Sequence, residues 1–346
     1  MDTSLAILLT QDGIVTGAIY ALLATALVLV FSITHVPFVP LGGFVTFTAL
    51  TLVAIQEQRT PLVAYVVMTL GVLCFLLEVA GAWRSGAGGR AVLRAAGQYL
   101  LAPAVLSALA VAASRATVPV PVGMLAACLL IVPIGPMIYR LAFQPLIDSD
   151  PLTFFMLSIA VEVSMIGMGL VLFGPEGART EAYTDFQLTL GDLVIPGQSL
   201  FILGAAVLLT VGLFFFFNRT IRGKMLRATA VNRTGAQLMG ISVVRSGQLA
   251  FTLAALIGAI CGLLIAPRIT LNYSSGLMIG MKGFIAAVVG GFVSYPIAAL
   301  GALLIGLLES FSSFWMSAWK EVIVFTLIIP VLLFRTLHGG DGDDTH

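Results

Sequence analysis

Unbroken apolar runs dominate the chain, and their lengths carry more information than any alternation of polar and apolar positions. A helix crossing the hydrocarbon core of a bilayer needs about 20 mainly apolar residues. Runs of that kind occupy 14–34, 61–80, 121–139, 151–173, 199–217 and 248–266. Shorter or Gly/Pro-interrupted runs lie at 38–55, 99–113, 276–293, 296–311 and 321–335. The pattern predicts an all-α, polytopic integral membrane protein with about eleven transmembrane or re-entrant helices, 276–293 and 296–311 being the candidates for re-entrance. The first run does not read as a cleaved leader, because Asp2 and Asp12 stand where basic residues belong and the run exceeds a leader's apolar core.

Polar segments between the runs set the orientation, since Arg and Lys collect on the cytoplasmic side. The loop 218–247 carries Arg219, Arg222, Lys224, Arg227, Arg233 and Arg245 with no acid, and 81–98 carries Arg84, Arg90 and Arg94 with none. Both are expected inside. The loop 174–198 holds Glu176, Glu181, Asp185 and Asp192 against Arg179, and is expected outside. Counting crossings from these anchors predicts a multi-pass membrane protein with its N-terminus outside and its C-terminus inside. The chain reads as a single transmembrane domain over 1–346, with a short solvated tail at 336–346.

Composition agrees and excludes other classes. Of 346 residues 59% are hydrophobic and 10% charged, against about 45–50% and about 25% in soluble domains. Nucleic-acid binders, secreted disulfide scaffolds and disordered regulators are thereby ruled out, and the solvent for most of the chain is membrane lipid. Cys74, Cys128 and Cys261 are dispersed in apolar runs, and His35, His338 and His346 are isolated, so neither a disulfide framework nor a metal site is expected. The sequence contains no Gly-x-Ser-x-Gly, no His-Glu-x-x-His and no phosphate-binding loop; Gly223-Lys224 lacks both the preceding Gly and the following hydroxyl. No catalytic residue and no cofactor are assigned to this chain, and any energy from ATP has to come from another one.

A few residues inside the runs invite attention. Glu162 lies in the middle of 151–173, where an ionised carboxylate costs about 2.5–3.5 kcal/mol on the mildest scale. It reads either as a functional group or as a structural one bonded to Ser, Thr or a cation such as Lys282. Glu78 and Glu309 fall near span ends, where a carboxylate can reach water. Pro37 and Pro40, ahead of Gly42 and Gly43, break the second segment and free backbone groups that need partners. Small residues at helical spacing, among them Gly13 and Gly17 beside Tyr20 and later Gly258 and Gly262, read as helix-packing stripes or as the wall of a narrow path. Gly17, Tyr20, Pro37, Gly42, Gly43 and Glu162 form the candidate substrate path. Gly42-Gly43-Phe44-Val45 recurs as Gly290-Gly291-Phe292-Val293, a match that glycine abundance explains without internal symmetry.

The basic loop brings a family into view. Arg227-Ala228-Thr229-Ala230-Val231-Asn232 followed by Gly235-Ala236-Gln237-Leu238-Met239-Gly240-Ile241 resembles the coupling loop of branched-chain amino acid ABC-importer permeases. Gly283-Phe284-Ile285-Ala286-Ala287-Val288-Val289-Gly290-Gly291, the stretch from Gly301 to Glu309, Lys320-Glu321, and Gly13 to Leu22 are similar to the same family in the same order. The resemblance implies a type II importer permease. Such a subunit works with a second, usually non-identical permease, two cytoplasmic ATPases that use ATP and Mg, and a periplasmic substrate-binding protein. By position, 232–241 would be the coupling helix, with Arg227, Asn232, Ala236, Met239, Gly240 and Ile241 as its contact residues: Asn232 or Thr234 as cap, Ala236, Met239 and Gly240 as a small apolar face, Arg227 and Arg233 as partners for acidic groove residues. The sequence departs from the family in three places. His35-Val36-Pro37-Phe38-Val39-Pro40-Leu41-Gly42 stands where Asn-Phe-Ala-His-Gly is usual, a glycine is missing after Gly290-Gly291, and 81–120 reads as an insertion adding about two spans.

Two mechanisms therefore stand side by side. One is alternating access driven by partner ATPases, moving branched-chain or related amino acids or similar small amides and carboxylates. The other is an ion-coupled secondary transporter using Glu162. An intramembrane enzyme lacks any nucleophile–base pair.

Overall fold

Long apolar runs become helices until a particular residue stops them. The structure is a computed structural model describing residues 3–85, 89–116, 118–147, 149–184, 186–190, 193–292 and 294–339. Helix α1 (Thr3–Thr34) is closed by His35, whose φ is 58° and whose N–H meets the Phe31 carbonyl at 2.7 Å. Pro37 and Pro40 hold the residues before them, Val36 and Val39, out of the helix, and α2 (Leu41–Gln56) starts directly after Pro40. Then comes α3 (Val63–Ser85), followed by α4 (Gly89–Ala96) and α5 (Ala102–Arg115), which a π-helical turn joins into one apolar rod, Val92–Arg115. Helices α6 (Val120–Ile131) and α7 (Ile134–Ile138) lie in a second rod, Val120–Leu146, stepped at Pro133. Helix α8 (Pro151–Phe173) carries Pro151 at its first position, where no N–H is needed, and ends at Gly174 with φ 80°.

A hairpin of β1 (Gln187–Leu190) and β2 (Leu193–Pro196) leads into α9 (Gly197–Arg219). The basic loop folds as α10 (Ile221–Val231) and α11 (Arg233–Leu238) before α12 (Val243–Ile265). The chain finishes with α13 (Ser275–Val289), α14 (Tyr295–Trp315), α15 (Lys320–Thr326) and α16 (Ile328–Gly339).

Among the described residues eight helices are long and apolar enough to cross a membrane. The remaining segments differ from the sequence reading in instructive ways. Helices α2 and α13, with 16 and 15 residues, fall short of a crossing length. The run 321–335 is split at Leu327 into α15 and α16. Residues 336–339 of the expected tail prolong α16, and 340–346 lie outside the described residues, as do Asp185, Asp192 and Val293. The stretch 81–120 holds the end of α3 and the single rod Val92–Arg115.

Burial sorts the helices into a core and a periphery. The most apolar windows of α1 and α12 are 72% buried, whereas those of α8, α9 and the rod Val92–Arg115 are 22% buried and present their sides outward. Nearly every residue of α2 is buried as far as Ile55, so protein, not lipid, surrounds this short helix until its exposed end at 56–59. Close backbone approach holds this centre together. A Cβ on Gly17 would come within 2.8 Å of the Leu303 Cα on α14, and one on Gly258 within 3.0 Å of the Phe44 side chain on α2. The small-residue stripes thus seat helix on helix, where packing drives association. The recurrent Gly-Gly-Phe has opposite roles: Gly42 and Gly43 open α2, while Gly291, with φ 65°, lies just past the end of α13.

Candidate functional site

The break between α1 and α2 lies inside the bundle, not at its edge. Phe38 is buried with its ring 4.6 Å from Phe251, 5.8 Å from Phe143 and 6.0 Å from Phe44. Irregular backbone at such a place needs hydrogen-bond partners, and one side chain supplies two. Ser158 on α8 accepts from the Val39 N–H at 2.9 Å and donates to the Pro37 carbonyl at 3.1 Å. One turn further along α8, Glu162 is buried against the start of α2; a Cβ on Gly43 would be 3.3 Å from its Oε2 and 2.7 Å from Met165. Neither Glu162 oxygen has a hydrogen-bond partner. On its other side α2 touches α13: a Cβ on Gly42 would overlap the Gly276 carbonyl and come 3.0 Å from the Gly280 nitrogen.

Lys282 does not pair with Glu162. Its Nζ lies 2.5 Å from Glu309 and 3.3 Å from Glu321, and the Tyr20 hydroxyl donates to the other Glu309 oxygen at 2.7 Å. Glu309 is therefore paired as well as near a span end: α14 carries it into a largely buried cluster with Lys282, whose side chain is 7% exposed. Glu78 likewise meets a partner, Arg140, at 2.8 Å. The Tyr20–Lys282–Glu309–Glu321 cluster lines a cavity of about 540 Å³ that also reaches Asp12 and Arg268 at the end of the bundle opposite the basic loop. That end we call outer. Nearby, Arg179 donates to the Pro267 carbonyl at 2.8 and 3.0 Å, and Tyr183 donates to the Leu263 carbonyl at 2.7 Å. Burial pushes the Tyr183 hydroxyl up to about 12, so it remains a neutral donor.

The six path candidates therefore part company. Pro37, Gly43 and Glu162 meet around Ser158 and α8, Gly42 backs onto α13, Tyr20 faces the outer cavity, and Gly17 seats α1 on α14. Sequence reasoning missed Ser158, although Ser158 and Glu162 at i and i+4 put two polar side chains on one face of an apolar helix. It also missed the Lys282–Glu309 pair.

At the inner end, α11 is a capped element. The Asn232 side chain accepts from the Gly235 N–H at 2.7 Å, and Gly240, with φ 81°, permits a Schellman closure in which Gly240 N meets Gln237 O and Ile241 N meets Ala236 O, each at 2.9 Å. The apolar face differs from the one read in the sequence. Ala236 is buried, 5% exposed, and turned into the protein, whereas Leu238 and Met239 are 84% and 83% exposed. The two arginines are also held within the chain: Arg227 donates to Asn218 at 2.8 Å and Arg233 to the Ile147 carbonyl at 3.4 Å. Arg233 lines a cavity of about 350 Å³ with His35, Tyr139, Phe154 and Gly247, so the root of α11, the end of α1 and the start of α8 share one space. Among the described residues no group of three His, Cys, Asp or Glu residues could hold a metal ion.

Residues 80–332 match the family described as branched-chain amino acid transport system / permease component. Over 149 residues the chain is 34% identical to the high-affinity branched-chain amino acid transport system permease protein BraD of Pseudomonas aeruginosa, covering 42% of this chain and 48% of that one. Over 210 residues it is 33% identical to the corresponding permease protein LivH of Escherichia coli K12, covering 57% and 66%. A probable branched-chain amino acid transport permease protein LivH of Methanocaldococcus jannaschii is 27% identical over 223 residues, covering 57% and 67%. The chain thus spans about half to two thirds of the length of these curated relatives.

Proposed function

The chain belongs to the family of branched-chain amino acid permease components, and from that premise we propose that it is a transmembrane subunit of an ABC importer for branched-chain or related amino acids. It supplies the path and no covalent chemistry. Two cytoplasmic ATPases using ATP and Mg supply the energy, a second permease completes the path, and a periplasmic binding protein delivers the substrate. The N-terminus lies outside and the C-terminus inside, in a bacterial inner membrane.

The observation that carries this reading is α11. A six-residue helix closed at both ends, with Leu238 and Met239 bare at its tip on a loop without acids, is a preformed plug for a groove on another protein. Its root shares a cavity with His35 and Phe154, so a push on α11 reaches the α1–α2 break and the foot of α8. Those are the elements whose rearrangement would open and close a path. The ion-coupled alternative draws support from the partnerless carboxylate of Glu162, but family membership favours the ATP-driven mechanism.

Purification of the tagged chain from native membranes tests the proposal. Co-purification of ATPase subunits and a second hydrophobic chain is expected, together with loss of labelled leucine uptake when the chain is deleted. A lone protein that transports in liposomes under an ion gradient would overturn it.

A further inference from the structure

The outer cavity has features that helix packing alone does not require. Six charged side chains line it, Asp12, Arg268, Lys282, Glu309, Lys320 and Glu321, three of each sign. Its volume of about 540 Å³ falls within the ~300–1,000 Å³ typical of small-molecule sites. A lone cation or anion placed there would unbalance the charges, whereas a molecule with two opposite poles and no net charge would not.

The poles are unequally engaged. Lys282 is held at 2.5 Å by Glu309 and at 3.3 Å by Glu321, so one ammonium serves two carboxylates. Glu321 is the looser partner. Its side chain is 39% exposed and its Oε2, itself buried, has no hydrogen-bond donor, so the carboxylate keeps acceptor capacity that a second ammonium reaches when the side chain turns into the cavity. On the positive side, Arg268 is committed to Asp12, while Lys320 makes no ion pair among the described residues. Apolar side chains, Ile19, Met278 and Ile279, line the same space and offer an aliphatic wall between the charged groups.

We propose that this cavity is the outward-facing receiving site for a zwitterionic aliphatic amino acid, with Glu321 taking the ammonium, Lys320 the carboxylate, and Ile19, Met278 and Ile279 the branched side chain. This rests on the importer reading and deepens it, since it places recognition of the substrate's two poles in the permease itself.

Ser313, exposed and lining the same cavity, provides the reporter. Ser313→Cys is introduced into the full complex in washed native membranes, where Cys74 and Cys261 are buried and the parent chain gives the background. Labelling by a membrane-impermeant thiol reagent is timed with and without millimolar leucine. Leucine is expected to slow labelling several-fold. The single-pole analogues 4-methylpentanoate and 3-methylbutylamine are expected not to slow it, and Glu321→Gln in the same background is expected to abolish the protection without changing the unprotected rate. An unchanged rate with leucine overturns the site, as does equal protection by a single-pole analogue. Leucine uptake by the same strain is measured in parallel. Protection without uptake keeps the site and removes the importer reading; uptake without protection keeps the importer and removes the site; absence of both removes the two together.

Discussion

Ser158 has a structural role that can be measured directly. Its hydroxyl accepts from Val39 and donates to Pro37, so Ser158→Ala leaves a donor and an acceptor unpaired in the bundle. Each unsatisfied buried group costs about 1–3 kcal/mol. A lower melting temperature of the purified complex is therefore expected, and unchanged melting would mean that the break is held by other contacts. Glu162, one turn away, calls for the opposite expectation. Its carboxylate is buried without a hydrogen-bond partner, and a charge in that position is costly, so Glu162→Gln keeps the shape and removes the burden. The variant is expected to melt no lower than the parent, and a clear drop would reveal a partner for the carboxylate. Neither role could be read from sequence spacing. Ser158 lies 119 positions from Val39, and tertiary packing alone brings them together. The same holds for Lys282, which the sequence offered to Glu162 and the fold delivers to Glu309.

At the scale of the element, α11 shows what the sequence does and does not disclose. A cap at Asn232 was legible because it has a local cause, a side-chain oxygen placed to meet the Gly235 N–H. Gly240, offered by the sequence as part of an apolar face, proves to be the stop, in a left-handed position at φ 81° that glycine accepts without strain. The helix phase was not legible. In six residues there is too little periodicity to say whether Ala236 or Leu238 faces out, and contact with the rest of the chain decides it. Replacement of Leu238 and Met239 together by Ser removes the exposed apolar tip while leaving cap and closure intact. ATPase co-purification is expected to fall sharply with the permease still folded; retention of the ATPases would move the interface elsewhere. Gly240→Trp attacks the closure instead, since a non-glycine residue in left-handed geometry costs about 1–2 kcal/mol. Hydrolysis uncoupled from uptake is expected, and normal coupling would mean that the turn tolerates rearrangement.

For the whole molecule, apolar run length fixed most of the spans because lipid demands that every backbone group be satisfied within a helix. The departures fall where protein takes the place of lipid. The starts of α2 and α13 meet protein and not headgroups: Ser158 holds the turn before α2, and α13 opens from the loop at Asn272 against Gly42. This makes the sidedness of the chain a sharper question than its helix count, since a short helix can either continue a crossing or turn back. The structure supplies a geometric constraint. Gly13 and Gly17 on α1 meet Leu307 and Leu303 on α14, so the two helices run antiparallel. The start of α1 then lies at the same end as Trp315, and the number of crossings from the N-terminus to the end of α14 is even. With the six-cation loop 218–247 placed inside, the N-terminus, the hairpin at 187–196 and the tip of α14 all belong outside. Alkaline phosphatase fused after Glu181 is expected to be active, and the same reporter fused after Arg233 inactive, because the enzyme matures in the periplasm. Activity at both positions would require α9 to return to the side from which it started, which a 23-residue apolar helix with a basic end does not do.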